Sequence, residues 1–356
     1  MDSKYLPDYK FFLGLPKFEL HLHVEGALDR NYMFELQRRF RPDLQRAEFE
    51  AEFNYSCFRD FLVHWWKQQQ LLFGPEGLGV DCIYGLAKAF SDYLTSLNVV
   101  YAEAHISPID SCCVHYGDDF RRHPEGWRDF LQAWVSAFAE INREKDRPQV
   151  RLIVDLVRNH GPETAHWQLD IFKEFYQDQP EICGFGLGGG MGRFRIAEFH
   201  SVADRIRNTG LPFFIHAGEY GPAETAEAEV SSAVELGAAR IGHGIHISQS
   251  KKIMENVKES GIALEVCPGS NIRTGTVSSL SEHPLPVLYQ NGLSIVIGSD
   301  DPCFFGNNIC QEYEDIANFM HFSNSELEQL LINSVECSFA PAALKKKTLE
   351  YYREIL

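Results

Sequence analysis

The run KFELHLHVEG, residues 17–26, places His21, His23 and Glu25 at alternate positions. If the segment is a strand, that spacing turns all three side chains to one face. Two imidazoles and a carboxylate on one face suit an ordinary polar surface, a metal platform or a catalytic rim. Three more apolar runs finish in groups of the same kinds: PFFIHAGEY with His216 and Glu219, RIGHG with His243, and LSIVIGSDDP with Asp300 and Asp301. Taken singly, a histidine near a strand end is commonly a hydrogen-bonded structural residue, and a lone Asp-Asp-Pro commonly opens a turn or caps a helix. Four such ends mean more if the fold gathers them. Three imidazoles and a carboxylate, here His21, His23, His216 and Asp300, then form the ligand set of a catalytic zinc with one position left for water.

The elements that would gather them are legible as eight short apolar runs at 18–24, 99–106, 150–157, 182–188, 212–218, 240–247, 262–268 and 293–300. Long stretches of helical character separate them, such as IAEFHSVADRIRNTG, which ends in the glycine expected just past a helix. Eight strands alternating with helices predict a (β/α)8 TIM-type barrel, one domain over residues 1–356, with catalytic groups at the C-terminal strand ends. Residues 27–97 form an extra helical insert after strand 1. Its Phe58, Phe61, Leu62, Trp65 and Trp66, near helical spacing, read as core packing or as an apolar lid over the catalytic mouth. The competing fold is a doubly wound open sheet, for which GFGLGG at 184–189 supplies the glycine spacing. The next strand, however, ends in His216 and Glu219 rather than in a ribose-binding acid. Glycines there serve instead to let backbone approach something closely. Because strand 4 ends in GFGLGGG, it offers no side chain to bridge two metals, and a single ion is expected.

Composition narrows the partners. The 356 residues carry 33 Lys plus Arg against 50 Asp plus Glu, a formal charge of −17, which repels phosphate backbones and anionic headgroups. Neither nucleic acid nor membrane is expected as a partner. With 44% apolar and 23% charged residues, the chain has the make-up of a globular protein with a sizeable core. Nine cysteines without repeating spacing, two of them adjacent at Cys112 and Cys113, do not form a disulfide framework and point to a reducing compartment. No apolar leader segment and no run of about 18 apolar residues occurs, so a cytoplasmic protein is expected. Oligomeric state leaves no signal in the sequence.

HLHVEG, HAGE, IGHG and SDDP, in this order, resemble the adenosine/adenine deaminase family of the metal-dependent amidohydrolase superfamily. The resemblance runs from about Lys17 through the NSVECSF segment. It implies zinc-dependent hydrolytic deamination of a 6-aminopurine, adenosine or deoxyadenosine first, with free adenine or a modified adenosine as alternatives. By resemblance one Zn2+ would sit on His21, His23, His216 and Asp300. Glu219 would be the proton donor, and His243, with Asp300, would orient and help deprotonate the attacking water. His23, Glu25, Gly189 and Asp301 would contact the substrate, Asp301 at purine N7 and the Gly189 backbone N–H at N3. Bound Zn2+ can bring the pKa of water from 15.7 to about 7, and protonation of N1 by a carboxyl of raised pKa drains the charge that develops on the ring.

Three departures from the family pattern stand out. Glu25 replaces the aspartate of HxHLDG, which puts a ribose contact in question. GLGGGMG replaces a DLAGxE pattern, so Gly186 and Gly190 are expected to leave extra room at the pocket floor. His105, in YAEAHISP, stands where arginine is common. The other zinc deaminase scaffold needs a P-C-x-x-C pair, and VCPGS has a single cysteine, Cys267, expected to be a buried small residue. Glu265 is expected to partner Ser270 or a ligand histidine. Two alternatives of other classes are a mononuclear-metal amide or ester hydrolase, which has no need of Asp301, and a catalytically silent relative that keeps the fold.

Overall fold

Each of the eight apolar runs becomes a strand, and all eight run parallel. The structure, a computed structural model, describes residues 7–176, 179–190 and 194–356. The strands are β1 (Lys17–His23), β2 (Val99–Ile106), β3 (Gln149–Asp155), β4 (Ile182–Leu187), β5 (Phe213–Ala217), β6 (Arg240–His243), β7 (Ala263–Val266) and β8 (Ile295–Ile297). They pair in chain order from β1 to β8. The ring closes through a parallel bridge between Leu22 and Asp300. His23 N donates to Asp300 O at 3.0 Å and Asp300 N to His21 O at 3.1 Å. The expected (β/α)8 barrel is therefore the fold, and the doubly wound sheet is not.

Several strands are shorter than the apolar runs that announce them. The run 240–247 stops being a strand at His243, Gly244 takes a left-handed conformation at φ +68°, and Ile245–Gln249 forms a 3-10 turn. Ile245 and Ile247 are fully buried nonetheless. Their apolar character reports burial against the barrel wall, which a turn can supply as well as a strand.

The insert after β1 folds as the helices Arg30–Arg38, Arg46–Ala51, Phe58–Phe73 and Ile83–Ser96. Of these, Phe58–Phe73 faces the barrel mouth, and Phe58 stacks on Tyr220, past the end of β5, with ring centroids 4.2 Å apart. Closing helices Asn324–Glu336 and Ala342–Ile355 end the chain, the first opened by the Ser323/Glu326 capping box.

Below the mouth the barrel interior is polar. Arg240 is 1% exposed, with Glu103 Oε2 2.6 Å from its Nη2 and its Nε donating to Glu265. Its guanidinium also lies over Phe214, 4.3 Å from the ring centroid. Two carboxylates and an aromatic face together satisfy a cation that could not be left unpaired at this depth. All nine cysteines are free thiols, and no helix among the described residues is long and apolar enough to cross a membrane.

Candidate active site

The C-terminal ends of β1, β5, β6 and β8 open into a cavity of about 420 Å³. Its polar wall includes His23, His216, Glu219, His243, Asp300 and Asp301, and Phe58, Phe61, Leu62, Trp65 and Trp66 form the opposing apolar wall. His21 lies beneath, fully buried. Asp300 Oδ1 is 3.7 Å from His21 Nε2 and 3.4 Å from His23 Nε2. The His216 ring lies 4.6 Å from that of His21, centroid to centroid. Three overlapping groups, His21–His23–Asp300, His21–His216–His243 and Glu219–His243–Asp300, each bring their ligand atoms within 4.8 Å of one another. The convergence expected from strand ends is met for all of these residues.

Backbone strain marks the same place. Val157, His243 and Asp300, at the ends of β3, β6 and β8, take positive φ of 48°, 61° and 64°. For a β-branched residue such as Val157 this is a costly conformation that only surrounding structure can hold. At Asp300 the turn aims the carboxylate at the histidines while the backbone stays bonded to β1. Gly26 fits against this turn, since a Cβ there would collide with the Asp301 carboxylate.

Neighbouring residues fix the orientation of the polar groups. His21 Nδ1 meets Glu265 Oε2 at 2.7 Å, so Glu265 serves a histidine of the site, and Ser270 instead donates to Asp300 Oδ2 at 2.7 Å. Asn271 Nδ2 lies 3.4 Å from His243 Nδ1. Burial, then the charges of Asp300 and Asp301, push Glu219 well above the ordinary carboxylate range. Burial and the neighbouring charge of Asp300 likewise raise Asp301. Asp300 overcomes its own burial through His23, His243 and His21 and is held ionised. Burial is the largest influence on His243, which is lowered to about 3. His23, against its burial, is lifted to about 10 by Asp301 and Asp300. The environments thus push apart two acids that keep protons, one that loses its own, and a neutral imidazole.

The donor set suits a divalent cation. His21 Nε2 and His216 Nδ1 are buried without a hydrogen-bond partner among the described residues, an uncommon state for a buried nitrogen that a ligand would relieve. Imidazole nitrogens with one carboxylate oxygen match zinc in type.

Other expected contacts fall differently. Gly189 lines the cavity at φ +99°, with Asn159 where a side chain would project. Glu25 lies in the single turn Val24–Gly26 and is 1% exposed. It is not one of the cavity-lining residues. Its Oε1 accepts from Ser107 N at 3.4 Å, and burial pushes it up to about 7. Gly190 borders the lid at Leu62. The room expected at Gly186 is not vacant: a Cβ there would collide with Asp155 Oδ1 and come within 3.0 Å of His105 Nδ1.

Residues that the sequence did not single out also line the site. Asn159 and His160 follow β3 in the stretch DLVRNH, and His160 Nε2 lies 2.8 Å from Asp110 Oδ1. Polar residues just past a strand end were the available signal. Cys113 Sγ is 3.9 and 4.0 Å from the two ring nitrogens of His160. A sulfur equidistant from both nitrogens does not make the in-line pair of an activated thiol.

The chain was compared with known proteins. The family model described as adenosine deaminase matches residues 16–354. An adenine deaminase of Sinorhizobium fredii is 28% identical over 335 residues, 94% of this chain and 97% of that protein. The crystal structure of an adenine deaminase from Arthrobacter aurescens superposes with a TM-score of 0.80 at 25% identity, covering 96% of this chain and 99% of the other. An amidohydrolase from Burkholderia ambifaria with bound Zn shares the fold at a TM-score of 0.81 and 23% identity, over 97% and 92% of the two chains.

Proposed function

This chain belongs to the adenosine deaminase family and is a hydrolytic deaminase, and from that premise we propose that it converts a 6-aminopurine, adenosine or deoxyadenosine foremost, to the 6-oxopurine and ammonia. The observation that carries this is the meeting of Glu219, His243 and Asp300 within 4.8 Å in a buried cavity, each pushed toward a different protonation state. His21, His23, His216 and Asp300 would hold one divalent cation, taken as Zn2+, whose chemistry is to bring the pKa of a bound water to about 7.

The remaining chemistry falls to the chain's own side chains. Neutral His243, with ionised Asp300 beside it, accepts the proton of the attacking water and passes it to the exocyclic amine, whose bond to C6 then breaks to release ammonia while the new C6 hydroxyl returns a proton to Glu219. Glu219, kept protonated by burial and by the charge of Asp300, gives its proton to ring N1 as C6 turns tetrahedral. Asp301 holds a proton for the same reasons, so its O–H donates to N7. The Gly189 N–H donates to N3. The apolar wall of Phe61, Leu62 and Trp65 covers the ring and keeps bulk water from the reacting carbon. Substituents on the purine extend toward Asn159 and the Asp110–His160 pair, in a cavity within the range of about 300–1,000 Å³ that holds ligands larger than a free base. The nine free thiols support a cytoplasmic setting.

Free adenine is the second reading. It is favoured by the relatives named adenine deaminase and by the withdrawal of Glu25 from the cavity, where an acid would have met a sugar. Loss of adenine absorbance and ammonia release, measured on adenosine, deoxyadenosine, adenine and 5'-substituted adenosines, ranks the two. The first reading expects kcat/KM for adenosine at least about tenfold above adenine, about 1.4 kcal/mol of discrimination. Turnover of adenine alone selects the second, and turnover of none of the panel defeats both.

A further inference from the structure

Resting on the metal reading above, we propose that Asp155, clamped by His105, is the carboxylate that positions His23 for metal binding. We also propose that residue 186 is glycine because that carboxylate fills the space of a strand-4 side chain.

The barrel register sets these residues side by side. His23 pairs with His105 across β1 and β2, and Asp155 pairs with Gly186 across β3 and β4. His105 is fully buried, and its Nδ1 meets Asp155 Oδ1 at 2.8 Å. This contact matches the Nδ1–H tautomer of His105, with the carboxylate oxygen accepting, and leaves the lone pair on Nε2. The other carboxylate oxygen, Oδ2, faces His23 Nδ1 at 3.8 Å, ion-pair range rather than a hydrogen bond. The His23 and His105 rings lie 4.9 Å apart, tilted by 32°.

The neighbouring histidine of β1 has the same kind of partner, there at hydrogen-bond distance. His21 Nδ1 meets Glu265 at 2.7 Å, and Glu265 is anchored by Arg240. In both cases a buried acid addresses Nδ1 and leaves Nε2 toward Asp300, at 3.7 Å for His21 and 3.4 Å for His23. Carboxylate partners of this kind orient a ligand imidazole and raise its basicity, and losing one typically costs 10–100-fold in metal affinity. Arg240 anchors the first acid and His105 the second. His105 Nε2 is buried without a hydrogen-bond partner among the described residues. A second cation on His23, His105 and Asp155 is therefore the competing arrangement, and the number of ions bound per chain decides between them. Strand 4 could have supplied the acid itself; with Gly186 it yields the space, and the acid arrives from β3.

The test compares zinc binding by chelator competition in wild type, Asp155→Asn and Gly186→Ala, with melting of the metal-free proteins as the check on folding. Asp155→Asn keeps the shape and loses the charge. It is expected to melt within a few degrees of wild type without metal, yet to bind zinc 10–100-fold more weakly. Gly186→Ala, whose methyl displaces the carboxylate, is expected to weaken zinc binding in the same direction. Asp110→Asn, which removes a cavity carboxylate paired with His160 and not with a histidine of the metal set, is expected to leave zinc affinity within about twofold of wild type. Zinc affinity unchanged in Asp155→Asn, an equal loss in Asp110→Asn, or wild type holding two ions per chain and Asp155→Asn one, would each overturn the proposal alone. A wild-type chain that takes up no zinc brings down the metal reading, and the proposal with it.

Discussion

Glu219 illustrates how one side chain's surroundings decide its chemistry. Two residues past the end of β5, it is hemmed in by Asp300 and Asp301 and nearly out of water, so its proton is retained. Glu219→Gln, which keeps the shape but cannot release a proton, is expected to lower kcat by about 10²–10⁴-fold with the fold intact. Steady-state turnover with circular dichroism checks it. The sign of the pH dependence follows: the donor form is lost as pH rises through the raised value, while His243, lowered to about 3, stays neutral throughout. In wild type, kcat should therefore fall on the alkaline side first, and an acid-limb loss alone would contradict the assignment. Asp301→Ala is expected to abolish deamination of purines; retained turnover of an amide or ester panel at the same site would favour the hydrolase alternative. At this scale the sequence displayed the histidines and acids of the strand ends by type and position. It could not display that Glu25 turns behind the wall or that Asp155 fills the void at Gly186, because both depend on which neighbour occupies a space and not on spacing along the chain.

Among the elements, the helix Phe58–Phe73 was legible as an apolar stripe whose purpose stayed open between packing and lid. It does both. Phe61 is 6% exposed and packed on Phe304 and Phe305, whereas Trp66 is 38% exposed at the cavity rim. Trp65, whose ring is 5.9 Å from that of His23, joins the two halves. Trp65→Ala is expected to raise KM about tenfold with a smaller change in kcat, since a wall that binds substrate and transition state alike acts on KM. The eight strands were also legible, but their ends were not, as the turn at Ile245–Gln249 shows. A further element outcome concerns the short helix Pro268–Arg273, which carries Ser270 to Asp300 and Asn271 to His243. Glu312 accepts from Gly269 N at 3.0 and 3.1 Å at its start, and burial pushes Glu312 up to about 8. The folded chain thus keeps a proton that the unfolded chain releases near the ordinary value. Stability from this group is full below that value and is lost as pH rises through about 8. Urea unfolding at pH 5 and pH 8.5 should show wild type losing stability over that interval, and Glu312→Gln losing less.

At the scale of the whole molecule, the ring of strands is complete only because the backbone between His21 and His23 bonds to Asp300. Strand β8 has three residues, and the seam to β1 is bridged past its end, between Leu22 and Asp300. A cation held by side chains from both edges would clamp that seam. Removing metal with a chelator is expected to lower the melting temperature, the stabilisation from a ligand at a thousand times its Kd being about 4 kcal/mol. Amide exchange should accelerate first at Leu22, His23 and Asp300; uniform acceleration across the barrel would contradict a seam-specific role. His21 stands in β1, whereas Asp300 follows β8. During synthesis, then, all the intervening strands must leave the ribosome before both jaws of the grip exist.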